Sequence, residues 1–164
     1  MSRTGELLMK SRNRYRLPVP KDALIAIDRT SSPAHIGKLR NAVDFLVPEN
    51  TPVLAAADGI VTYVKSDSRK GGPTMNYWFD SNFIVLQHLH GEYSRYDHLA
   101  HMSAKVRVGQ QVQVGQLIAQ TGMTGFTFVS HLHFHVFVFN GSSTTSNNIW
   151  TDFETLVIED FAVN

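Results

Sequence analysis

The 164-residue chain is predicted to fold as a mainly β protein, a compact antiparallel β domain. Three observations carry this. Apolar residues alternate with polar ones in several short runs, Gly- and Pro-rich turns separate those runs, and no segment holds a sustained helical period. The clearest run is Ser130-His-Leu-His-Phe-His-Val-Phe-Val138. Phe and Val favour strands, and side chains two apart on a strand share a face. Leu132, Phe134, Val136 and Val138 are therefore assigned to a core, with His131, His133 and His135 aligned on the other side. Neutral imidazole is the commonest metal ligand, so that face points to metal binding, against the plainer reading of three solvent-facing histidines.

Bulk properties narrow the field. A chain of this length fits one domain with a real core. With 15 basic and 14 acidic side chains it carries no overall footprint for nucleic acid. Its one basic cluster, Lys10 to Arg16, reads as a solvated arm. There is no cysteine, hence no disulfide and no thiolate metal site, which leaves His, Asp and Glu as the strong ligands. No apolar run is long enough to span a membrane, and residues 1–10 lack the apolar stretch of a secretory signal. A mature or truncated form, another export route and an internal location all agree with that.

In chain order, residues 1–30 read as an irregular lead-in covering one side of the domain, with an apolar piece at Ala23–Ile27. Ser31–Gly37 is a turn-rich loop containing His35. Asn41–Val47 reads as a strand with Val43 and Phe45 on one face and Asp44 on the other. A carboxylate inside an apolar strand is costly unless paired or coordinating, so Asp44 demands a partner. Val53–Ala57 and Gly59–Val64 read as a hairpin about Asp58-Gly59. Ser66–Trp78 is a long polar loop suited to the rim of a groove. Asn82–His88 and Tyr93–Leu99 are strands, the second with Tyr96 and His98 on a common face. Val106–Ile118 forms a tight hairpin or corner, and Thr121–Gly125 is a Gly-rich loop without the spacing of a phosphate cradle. After a Ser/Thr/Asn-rich stretch, Ile149–Ile158 belongs to a C-terminal tail (141–164) that packs back on a central domain of 31–140.

His35, Asp44, His98, His131, His133 and His135 thus fall in turn or strand settings. A catalytic zinc takes three protein ligands and leaves a position for water, and a set of His, Asp and His suits it. In these residues the chain resembles the lysostaphin-type (LytM-like) zinc metallopeptidases, which cut peptide bonds in bacterial peptidoglycan. The blocks that carry the resemblance are His35…Ala42-Val-Asp44-Phe45, Thr51-Pro-Val53 with Ala55-Ala-Ala-Asp-Gly-Ile-Val61, Tyr96-Asp-His98-Leu99, Val108-Gly-Gln-Gln-Val112 with Gly115-Gln116, Gly122-Met-Thr-Gly125, and His131-Leu-His133-Phe134. They span roughly residues 33–139.

The resemblance implies an open active-site groove on a β domain related to the barrel-sandwich hybrids. It implies zinc (Zn2+) held by His35, Asp44 and His133, with His98 and His131 acting on the water and the developing oxyanion. It also implies a peptidoglycan peptide as substrate, a monomer, and a place in the periplasm or outside the cell. Two departures stand out. The family motif puts its first His four residues before the Asp, where this chain has Arg40, so His35 requires an insertion; Asn41 is the next candidate and a poor ligand. Relatives commonly carry Glu where this chain has His135, which is read as a surface residue or one that orients His133 or His131 from behind. His88, His90 and His101 are read as loop or strand-end residues, Asp58 as a turn residue, and Trp78, Phe126 and Phe128 as core packing before groove wall.

Other classes weigh less. A catalytically inactive relative that binds and regulates a cell-wall hydrolase would normally lack the ligands, whereas a candidate for each is present. A lipoyl- or biotinyl-carrier domain needs a lysine at the hairpin tip, and Gly109-Gln-Gln-Val112-Gln-Val114 has none. A cupin would carry Glu three or four residues after the second His, where Val136 and Phe137 stand.

Overall fold

The computed structural model describes residues 9–30, 32–140 and 153–163. The Ser/Thr/Asn-rich stretch and the start of the predicted tail lie outside those residues. Twelve strands are described. In order they are β1 (Ala26–Asp28), β2 (Val43–Leu46), β3 (Pro52–Leu54), β4 (Gly59–Lys65), β5 (Gly71–Gly72), β6 (Phe83–Gln87), β7 (Tyr93–Asp97), β8 (Gln111–Val112), β9 (Leu117–Gln120), β10 (Gly125–Phe126), β11 (His131–Phe139) and β12 (Phe153–Leu156). The only helical pieces among the described residues are short 3-10 turns. The mainly β, antiparallel class read from the alternation is the class observed.

The main sheet runs β1-β2-β11-β7-β6-β4-β8, antiparallel throughout. β11 organises it. One edge pairs with β7, while the other pairs with β2 along His131–Phe134 and with β12 along Val136–Phe139. β3 and β9 pair apart from this sheet. Val43, Phe45, Tyr96, Leu132, Phe134 and Val136 pack with Val53, Ile118 and Ala119 in one core. The opposite face of β11 changes character along its length, from the three histidines to Phe137, which packs with Phe83, Val85, Tyr93 and Phe153.

Several local expectations are corrected by long-range pairing. Val53 and Gly59 do not open two arms of a hairpin: β3 pairs with β9, whereas β4 pairs with β6 and β8. Asp58 instead accepts a hydrogen bond from Val114 N–H at 2.7 Å, tying the corner before β9 to the start of β4. A Cβ on Gly59 would lie 2.4 Å from Gln87 O and 2.8 Å from His88 Nδ1, so the close approach of β6 requires glycine there. β8 and β9 likewise enter different sheets, which makes Val106–Ile118 a corner. The polar loop 66–78 is more ordered than its composition suggests, since β5 pairs in parallel with β10 and a 3-10 turn covers Met75–Asp80.

The basic arm is not solvated along its whole length. Tyr15 is 1% exposed and sits in the main core. The buried Glu92 accepts hydrogen bonds from Arg12 N–H, Asn13 N–H, Asn13 Nδ2 and Tyr15 Oη. Isolated bridges join Lys10 to Val157 and Arg16 to Ala162, so the first and last described segments run side by side.

Candidate metal centre

The register of the sheet assembles the site. Asp44 on β2 lies opposite His133 on β11, and His133 lies opposite Asp97 on β7. On the far side Asp28 of β1 lies opposite Asp44. Paired residues in antiparallel strands share a face, so three carboxylates and one imidazole form a row across four strands. Like charges in adjacent strands repel, and Asp28 beside Asp44 makes this end of the sheet strongly attractive to a cation.

Around Asp44 the imidazoles converge. His35 Nε2 is 2.9 Å and His133 Nδ1 3.2 Å from Asp44 Oδ1, and His131 Nε2 is 3.6 Å from Oδ2. The donor atoms of His35, Asp44 and His133 all lie within 4.8 Å of one another, and all three residues are buried. His35 arrives from the loop after β1, with its Nδ1–H donating to the Arg29 carbonyl at 3.3 Å, which turns Nε2 toward Asp44. Arg40 is exposed, and Asn41 Nδ2 donates to Thr155 O at 3.1 Å, away from the cluster. The long-spaced histidine is therefore the one that meets Asp44.

His98 and His131 face the cluster with their rings 4.7 Å apart. His98 Nδ1–H donates to Thr124 O at 2.7 Å and His131 Nδ1–H to Val129 O at 2.8 Å. Because a neutral ring holds one N–H, these carbonyls leave each Nε2 bare. His98 follows the end of β7 at φ 64, a left-handed conformation, so it does not share a face with Tyr96. Tyr96 points into the core, where its Oη accepts from Ala56 N–H. Burial pushes the His98 imidazole down to about 3, with His131 adding to the effect, and burial lowers His131 despite nearby Asp44. Burial alone would raise the Asp44 carboxyl, yet His133 and His35 hold it well below the ordinary carboxylate range.

His135 is 3% exposed, which removes the surface reading, and its Nδ1 lies 3.0 Å from His133 Nε2. Arg95 and Asp97, neither of them singled out in the sequence, form a buried ion pair on the same face, with Arg95 Nε 2.7 Å from Asp97 Oδ2. The signal was present: Arg-x-Asp on a core strand raises the same question of a partner as Asp44 does. Two cavities flank the cluster. One of about 320 Å³ is lined by Ile36, Leu39, Met75, Trp78 and Phe126 together with His98 and His133. The other, of about 170 Å³, is lined by Asp28, Asp44, Phe128, Val129 and His131. Trp78, Phe126 and Phe128 are thus groove wall, not core, and Phe128 is 58% exposed. His88 lies elsewhere, bonded to Asp58 O and Ser94 Oγ.

Buried His and Asp donors converging between two cavities on a β-sheet are the arrangement of a metal-dependent hydrolase domain. The chain matches the model for peptidase family M23 over residues 38–146, and it belongs to that family. The match begins just after His35, so it is the geometry that brings His35 to Asp44. The chain is 30% identical over 142 residues to peptidoglycan DD-endopeptidase ShyA of Vibrio cholerae, covering 83% of this chain and 29% of that protein. It therefore spans under a third of that relative's length. A zinc-containing peptidase from Vibrio cholerae shares the fold at TM-score 0.56 and 28% identity, over 76% of this chain and 36% of that one. Lysostaphin from Staphylococcus simulans does so at TM-score 0.50 and 28% identity, over 69% and 42%.

Proposed function

We propose that this chain is a zinc-dependent endopeptidase that hydrolyses peptide bonds in bacterial cell-wall peptidoglycan, working in the periplasm or outside the cell. The observation that carries the reading is the convergence of His35, Asp44 and His133 donor atoms, with His98 and His131 facing them. The donor set suits zinc: two neutral nitrogens and one carboxylate, buried, with cavities beside them for water and substrate. His35, Asp44 and His133 would hold the ion. When bound, zinc supplies Lewis acidity toward a water and the scissile carbonyl.

The chain's own residues do the rest. The two cavities let an extended peptide cross the cluster, with apolar walls at Trp78 and Phe126 gripping one side. The bare Nε2 of His131 or His98 accepts the proton that the attacking water loses as its oxygen bonds to the carbonyl carbon. The remaining imidazole of the two stabilises the oxyanion, and the imidazolium formed at the base passes its proton to the amine as the C–N bond breaks. The name of the Vibrio cholerae relative supports the substrate class.

The test is metal content by elemental analysis alongside product analysis on purified peptidoglycan, for wild type, His133→Ala and His35→Ala. One zinc per chain and released peptides, both lost in each variant, is the expected result. Zinc kept in His35→Ala would reassign the first ligand. Zinc without hydrolysis would favour a regulatory binding module, and a wild type that takes up no zinc would end the metallopeptidase reading.

A further inference from the structure

His135 is a buried histidine beside the Asp44 cluster that the proposed mechanism leaves without a task. Its ring stacks on Phe153, with centroids 5.8 Å apart and planes within 13°, and its Nδ1 is 3.0 Å from His133 Nε2. With Asp97 and His133 it forms a second group of donor atoms, so a second cation is one reading of it. Asp97 argues against that. Its Oδ2 accepts from Arg95 Nε at 2.7 Å, and its Oδ1 accepts from Arg95 Nη2 and Ser81 Oγ, each at 3.0 Å. A carboxylate engaged through both oxygens by a buried guanidinium is neutralised, and the guanidinium repels a divalent ion beside it.

We infer that His135 is a positioning residue that accepts a hydrogen bond from His133 Nε2–H and so holds the His133 ring with a bare Nδ1 toward Asp44 and His35. The reasoning runs through the two nitrogens of one ring, and it rests on the zinc assignment proposed above. A nitrogen that ligates a metal carries no proton, so if Nδ1 is the ligand atom the proton of neutral His133 sits on Nε2. A buried N–H needs an acceptor, and His135 Nδ1 is the atom at hydrogen-bonding distance. His35 is arranged alike, with the Arg29 carbonyl at its rear nitrogen.

An imidazole differs from a carbonyl or carboxylate in that role because it can also donate. Without metal, His133 Nδ1–H donates to Asp44 across 3.2 Å, and His135 Nδ1–H donates to His133 Nε2. The hydrogen bond between His133 and His135 then survives in either state, its direction set by whether His133 Nδ1 is ligated. A carboxylate at position 135 would serve only the loaded state.

The decisive measurement is zinc affinity by competition with a chromophoric chelator, for wild type, His135→Leu and His135→Gln, with thermal melts of the metal-free proteins as the control for folding. Leu keeps much of the volume and removes the acceptor; Gln restores one through its side-chain oxygen. The expected result is about a 10- to 100-fold loss of affinity in His135→Leu, most of it recovered in His135→Gln. An affinity within twofold of wild type in a folded His135→Leu overturns the inference.

Should that variant not fold, 15N NMR of histidine-labelled, zinc-loaded wild type decides. A ligated Nδ1 and a protonated Nε2 on His133 are expected, and a ligated Nε2 overturns the inference. A wild type that binds no zinc ends this inference together with the metallopeptidase reading. One that binds zinc tightly but cleaves nothing leaves the role of His135 standing and removes only the activity.

Discussion

Glu92 and Asp44 are both buried carboxylates, 1% and 5% exposed, but their partners differ in kind. Glu92 accepts from two backbone amides, the Asn13 side chain and Tyr15 Oη, none of which gives up its proton near neutral pH. Asp44 is surrounded by His35, His131 and His133, each of which can release a proton and present a lone pair instead. The first arrangement fastens the N-terminal arm to the sheet and has nothing left to offer. The second is complete only as long as no cation competes for its nitrogens, and it opens onto two cavities. Burial and hydrogen-bond satisfaction alone do not separate a structural polar cluster from a reactive one. The chemistry of the donors does.

That contrast is broken most forcefully at the histidines that neither hold Asp44's closest contacts nor support the core. His98→Ala and His131→Ala are each expected to lower kcat/KM on peptidoglycan peptides by about 10²- to 10⁴-fold, with zinc content retained and melting temperature within a few degrees of wild type. Zinc lost from either variant would move that histidine into the ligand set. Glu92→Ala is expected to do the reverse. It strands several buried donors and costs about 3 kcal/mol of stability, read from urea midpoints, while zinc affinity stays as in wild type. A Glu92→Ala protein of unchanged stability would mean that water replaces the carboxylate, and the distinction drawn above would weaken.

How much of this was legible in the chain follows from the range of the interactions. Asp44 and the histidines of β11 could be placed because strand alternation is local: Val43 and Phe45 fix where Asp44 points, and Leu132 and Phe134 fix His133. His35 stood among the candidate ligands by residue type and setting, but only the resemblance gave it a role, because the turn that leads from it to Asp44 carries no periodicity that sets its direction. Asp58-Gly59 misled because a dipeptide suited to a hairpin was used where one strand leaves for another sheet, a choice made by β9 and β6, not by the dipeptide. The basic arm misled in the same way: its charge density hides Tyr15, whose burial depends on Glu92 and His88 far along the chain. Arg95 and Asp97 were passed over because most of their compensation is local, each being the other's ion-pair partner two residues away on one strand.

The smallest effect tests the same contrast through pH. His88 belongs to the structural side of the molecule. Its Nδ1–H donates to Asp58 O at 2.6 Å and its Nε2 accepts from Ser94 Oγ at 2.7 Å, with Ser94 Oγ also 2.9 Å from Tyr96 Oη. Burial lowers this imidazole below 6.5, a shift that the hydrogen bond to Asp58 and the charge of Glu92 only partly offset. The folded protein therefore holds His88 neutral where the unfolded chain, titrating near 6.5, already takes a proton. A group whose folded form binds the proton less well removes stability as pH falls through the unfolded value, by up to about 1.4 kcal/mol per unit, until the folded ring titrates too. His88→Gln keeps a donor and an acceptor but cannot titrate. Between pH 7.5 and 5.5 wild type is expected to lose about 1 kcal/mol more stability than His88→Gln, measured by urea unfolding of the metal-free proteins. Both carry the same histidines around Asp44, so those contributions cancel in the difference. Parallel pH curves would show that His88 is protonated inside the fold, and that the structural cluster shares the proton chemistry assigned here to the Asp44 cluster alone.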